Sequence, residues 1–94
     1  MRVRYRQQAL IDLAQISSYL NERSPLGAQN VLGAIYAAIG QIAQNPLSAR
    51  KTSDPAVRVK VVRRYLYKVF YSLGENEVEV LHVRHGARRP WEKE

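Results

Sequence analysis

At 94 residues, 46% apolar and 24% charged, the chain has room for one domain with a single modest core, and it is expected to fold rather than stay disordered. The lack of cysteine excludes disulfides and thiolate metal sites. No apolar run nears the roughly 20 residues of a membrane span, and the opening Met-Arg-Val-Arg-Tyr-Arg lacks the apolar stretch of a secretion signal, so a cytoplasmic protein with no membrane partner is the expectation. The formal charge of +7 is unevenly spread, because Arg2, Arg4, Arg6 and Arg23 are the only basic residues before Arg50, and this points to a cationic face for nucleic acid or an anionic protein.

Val3 and Tyr5 alternate with Arg2, Arg4 and Arg6, the period of a short half-buried strand. From Gln7 the period becomes helical. Ala9, Leu13, Ile16 and Leu20 form one stripe, Tyr19 flanks it, Asp12 lies near the N-terminal end of the dipole, and residues 21–24 read as a break. Ser24-Pro25 is an N-cap hydroxyl followed by proline at the first helical position. The second helix then presents Ala28, Val31, Leu32, Ile35, Ile39 and Ile42 until Asn45-Pro46 stops it. So short a break predicts an antiparallel helical hairpin. Residues 47–55 have no period and are expected to form a loop.

Three β-branched and aromatic runs follow, at residues 56–62, 65–72 and 77–83, separated by Arg63-Arg64 and Gly74-Glu75-Asn76. They predict an antiparallel meander. In the last run the apolar parity changes from Val78 and Val80 to Leu81 and Val83, the mark of a bulge. The predicted fold is α+β, in the order β-α-α-β-β-β, with the N-terminal strand and helical hairpin packed on one face of a small antiparallel-rich sheet. The other face is expected to gather Arg58, Lys60, Lys68 and Arg84 into a basic concave surface.

No phosphate loop, Gly-x-Ser-x-Gly, His-Glu-x-x-His or calcium loop is present. His82 and His85, three apart on a strand, point to opposite faces and make a poor metal pair, so no metal or cofactor is expected. His82 reads as structural. His85, beside Gly86 and close to Arg84, Arg88 and Arg89, is the better candidate for proton transfer or anion contact. Arg63 and Arg64 add to the cationic set, and Trp91 is the one aromatic residue beyond Gly86.

Ala9-x-x-Asp12-Leu13-x-x-Ile16-x-x-Tyr19, then Asn45-Pro46 and a basic loop, then Tyr67-Lys68-Val69-Phe70-Tyr71, then Val80-Leu81-His82-Val83-Arg84-His85-Gly86-Ala87-Arg88 appear in an order and spacing that resemble the RelE/ParE superfamily of type II toxin–antitoxin toxins. The resemblance implies a cognate antitoxin as partner. It also implies one of two targets: DNA gyrase for ParE-like members, or mRNA in the ribosome for RelE-like endoribonucleases. Laid on this chain, the nuclease pattern implies Arg58, Lys60, Lys68, His85 and Arg88 as its cleft. A binding mode instead implies Arg58, Lys60, Arg63, Arg64, Lys68, Arg84, His85, Arg88, Arg89 and Trp91 as the target-contacting set. Lysine stands at position 68 where the nucleases have arginine, and their late tyrosine has no counterpart before Glu94, which tilts the expectation toward gyrase. A basic interaction module that has lost its toxicity is the third reading.

Overall fold

A computed structural model describes residues 1–86; Arg88, Arg89 and Trp91 lie outside the described residues. The elements are β1 (Arg2–Tyr5), α1 (Gln7–Arg23), α2 (Pro25–Gln44), β2 (Arg50–Lys51), β3 (Arg58–Val62), β4 (Tyr67–Gly74) and β5 (Glu77–His85). The strands form one sheet in the order β1-β5-β4-β3-β2. The helical hairpin carries the chain from one edge of the sheet to the other. The antiparallel meander then returns, until β5 lies parallel to β1.

The α1 helix runs further than its sequence period implied, to Arg23 rather than to a break at residue 21. Its last carbonyls find side-chain donors: Asn21 donates to the Ser17 carbonyl at 2.8 Å and Arg23 to the Tyr19 carbonyl at 2.9 Å. Only Ser24 interrupts the two helices, in extended backbone, and its hydroxyl accepts from the Gly27 N–H at 3.0 Å while Pro25 opens α2. Ser24→Ala should therefore lower stability by about 1 kcal/mol, read by urea denaturation. The inward face of α2 buries Ala28, Val31, Ile35, Ala38, Ile39 and Ile42, with Leu32 only half-buried at its margin.

The stretch expected to be a loop, residues 47–55, contains the two-residue strand β2, too short to show a period. The first hairpin turn takes in Tyr65 and Leu66, so β4 starts at Tyr67, two residues later than expected. Leu66 there has φ +60, a left-handed conformation that side chains rarely favour. The second turn is tighter. Gly74 pairs with Glu77, leaving Glu75 and Asn76 as the connection, with Asn76 at φ +60.

The bulge falls where parity placed it. Tyr71 opposes Val80 and Phe70 opposes His82, so Leu81 is the extra residue. Its side chain consequently joins Val57, Val59 and Phe70 in a buried cluster separate from the main core. The main core holds Val69, Tyr71, Val78, Val80 and Val83 against Ala9, Leu13, Ile35 and Ile39 of the helices. Both faces of the sheet thus carry apolar groups. Tyr71 is buried, its hydroxyl donating to the Pro46 carbonyl at 2.6 Å; burial pushes the phenol above its ordinary pKa, with Arg58 opposing in part.

Candidate functional site

The pairing of β1 with β5 ends at Tyr5 opposite Val80, after which the Arg6 N–H makes one more bond to the Val80 carbonyl and the chain turns into α1. The edge of β5 beyond that point would lack partners. Asp12 supplies one: its Oδ2 accepts the Val83 N–H at 3.0 Å, while its Oδ1 accepts from the Gln8 amide at 2.9 Å. His82 Nδ1 is 3.6 Å from Asp12 Oδ2 and 3.2 Å from the Arg84 guanidinium. Asp12 is therefore a clasp between the first helix and the last strand, more specific than the dipole role its position suggested. Its spacing from Ala9 and Leu13 follows, because both of those are buried on the same helix and fix which way Asp12 faces.

Past this clasp, α1 and the end of the sheet diverge around a groove of about 730 Å³. Tyr19, Tyr65, Tyr67, Gln15 and His85 are among its lining residues. His85 lies opposite Tyr67 in the ladder, and their rings meet edge to face with centroids 5.2 Å apart. The exposed Tyr19 carries the Arg23 guanidinium over its ring at 3.6 Å. The period of α1 identified Tyr19 only as flanking the apolar stripe, and Gln15 gave no sequence signal. Beside the groove, Gly86 passes so close to the Leu66 backbone that a Cβ would lie 2.5 Å from the Leu66 carbonyl oxygen. A side chain there would push apart the first hairpin turn and the end of β5.

The cations expected on one basic face are divided by the register. Residues directly opposite in an antiparallel ladder share a face. Arg58 opposes Tyr71 and Lys60 opposes Val69, both on the helix side, whereas Lys68 opposes Val61 and Arg84 on the far side. The basic concave surface of Arg58, Lys60, Lys68 and Arg84 does not form. β3 has buried valines on both faces, Val59 in the second cluster and Val62 in the main core, so its polar residues do not mark a solvent side. Arg58 has a local task as well, donating to the carbonyls of Ala49 at 2.7 Å and Leu47 at 3.3 Å.

Arg2 and Arg4 meet Glu77, and Arg6 meets Glu79, so each N-terminal arginine has an acidic partner on β5. By contrast, Arg50, Lys51, Lys60, Arg63, Arg64 and Lys68 have no acidic partner among the described residues. Arg63 and Arg64 sit in the turn after β3, with Arg64 5.5 Å from the Tyr65 ring centroid. His82 and His85 oppose Phe70 and Tyr67 respectively and so lie on opposite faces. No helix among the described residues is long and apolar enough to cross a membrane.

Comparison with known proteins agrees with this architecture. The chain is similar to Toxin RelE2 of Caulobacter vibrioides, 30% identical over 81 residues that cover 86% of this chain and 90% of the relative. Its fold is similar to that of a chain from the chromosomal ParDE toxin–antitoxin system of P. aeruginosa, with a TM-score of 0.78 at 19% identity, covering 90% of this chain and 95% of that one. It is also similar to the isolated E. coli RelE toxin, with a TM-score of 0.65 at 14% identity, covering 94% and 86%. The family described as the ParE toxin of the type II toxin–antitoxin system parDE matches residues 3–90, and the chain belongs to that family, within the RelE/ParE superfamily of toxins.

Proposed function

We propose that this toxin, whose family implies a cognate antitoxin, acts by binding its target, with DNA gyrase as that target, and does not cut RNA. The observation that carries the reading is the division of the cations. Stabilising a pentacovalent phosphate needs several donors converging on one oxygen cluster, with a proton-transfer group in reach. Here Arg58 and Lys60 face the helix side, Lys68 faces away from it, and the Arg58 guanidinium is engaged with two carbonyls. The two tyrosines of the motif on β4 serve structure in this reading: Tyr71 is buried against Pro46, and Tyr67 packs on His85. Arg88, Arg89 and Trp91 remain in the proposed target-contacting set with Arg63, Arg64, Lys68, Arg84 and His85.

Ribosome-dependent mRNA cleavage is the second reading, favoured by the similarity to a protein named RelE2 and by His85 lining an open groove. Induction of the toxin in cells lacking the antitoxin separates the two. Gyrase-dependent DNA breaks with intact mRNA are expected. Rapid mRNA cleavage on translating ribosomes with normal DNA supercoiling would overturn the proposal, and undisturbed growth would favour a module that has lost its toxicity.

A further inference from the structure

Charge is spread over this fold asymmetrically. Along the helical hairpin, from Gln7 to Gln44, only Asp12, Glu22 and Arg23 are charged. Asp12 is engaged in the clasp to Val83, and Glu22 and Arg23 lie 3.9 Å apart beside the junction of the two helices. The α2 helix has no charged side chain along its 20 residues. By contrast, a solvated helix ordinarily has charged and polar residues on its outer face. The outer face of this hairpin is also apolar. Ala9 and Leu13 turn inward from α1, which leaves Leu10 and Ile11 outward, 52% and 41% exposed. On α2 the exposed positions Gly33, Tyr36, Ala37 and Gly40 recur at helical spacing, with open space where a Cβ on either glycine would stand. Depletion of charge and enrichment in tyrosine mark the centre of protein interfaces.

We infer that the outer face of the hairpin is a contact between two copies of this chain, related by a two-fold axis and packed α2 against α2. The electrostatics select the occupant. Two molecules of charge +7 repel each other through their strands and turns. The hairpin is the surface on which they meet with no like charges opposed. An acidic partner would find a single cation there, Arg23, which already lies beside Glu22 and over the Tyr19 ring. A two-fold contact sets a patch against itself, so an uncharged patch is complementary to that of its own copy. Size sets the strength. A face about 30 Å long and two helices, or about 20 Å, wide covers about 600 Å² per copy. That is about a tenth of the chain's 6047 Å² surface and falls at the low end of specific interfaces, which fits a micromolar dimer rather than a permanent one. The far face of the sheet, with Lys68, stays turned outward in both copies.

Sedimentation equilibrium of the purified full chain tests this at concentrations up to about 200 µM, where a contact of this size populates the dimer. A monomer–dimer equilibrium is expected. It should tighten at least about threefold as NaCl rises from about 0.05 to about 0.5 M, because salt screens the repulsion between two cationic chains. Tyr36→Glu sets like charges across the two-fold and should weaken the dimer at least about tenfold. Gly33→Gln fills space that the chain itself leaves open, so the monomer should melt no lower, while the dimer should again weaken about tenfold. Lys68→Glu, on the far face of the sheet, should leave association within about threefold of the parent. A monomer at every concentration and salt would overturn the inference and give the face to a different molecule. So would a dimer that salt dissociates, or one unchanged by both Tyr36→Glu and Gly33→Gln. Neither result bears on gyrase, whose inhibition is measured separately.

Discussion

Asp12→Ala is expected to lower the stability of the toxin by about 2 kcal/mol, a large effect for a polar residue on a helix near its start. The carboxylate accepts a backbone N–H of β5 and a side-chain amide of α1 while its own side chain is 12% exposed. Removing it leaves the Val83 N–H without that acceptor, at a cost of about 1.5–3 kcal/mol for a bond to a charged group. Alanine returns about 0.5 kcal/mol through its better helix propensity. Asp12→Asn keeps one acceptor oxygen and should cost about half as much. Urea denaturation of both variants checks this; a change under about 0.5 kcal/mol for Asp12→Ala would mean that the clasp carries little of the contact between α1 and β5.

The second large effect is at Arg58. Its guanidinium ties the carbonyls of Leu47 and Ala49 to β3, closing the path from α2 into β2. Arg58→Ala should cost about 2 kcal/mol, since both carbonyls lose a charged donor. Lys68→Ala, with its side chain on the far face and no acidic partner among the described residues, should change stability by less than about 0.5 kcal/mol. A nuclease cleft would require the reverse of independence: both variants folded, and both inactive through loss of the same phosphate contacts. Thermal melts of the two proteins side by side distinguish a structural Arg58 from a phosphate-binding one.

The sequence signals that proved legible were local ones. Ser24-Pro25 marked the start of α2 through a hydroxyl that does accept the Gly27 N–H, and Asn45 ended the helix before Pro46. The change of parity between Val80 and Leu81 located the bulge, because a residue inserted in one strand must turn its neighbours over. What stayed hidden depended on distant partners. No pattern in Arg50-Lys51 reveals a strand, since two residues have no period, and the parallel pairing of β1 with β5 joins segments more than 70 residues apart.

The candidate site was less legible than the fold for a related reason. Assigning Arg58 and Lys60 to a solvent face assumed that one side of the sheet is apolar. Phe70, Leu81, Val57 and Val59 bury a second cluster on the far side, so that assumption does not hold for β3. His85 lines a groove that also needs Tyr19 and Tyr65, which come from α1 and from the first hairpin turn. Only the packing of the helix across β5 brings those three together. Asp12 could have been recognised as a clasp from its fixed place between Ala9 and Leu13, but its acceptor role is visible only once the N-terminal strand is seen to stop short of Val83.

Supercoiling of relaxed plasmid by purified gyrase, with and without the purified toxin, tests the proposed mode of action most directly. Supercoiling is expected to fail at toxin concentrations comparable to gyrase and to return when the antitoxin is added, while the same toxin leaves mRNA intact in a cell-free translation reaction. Undiminished supercoiling together with cleavage of ribosome-bound mRNA would contradict it.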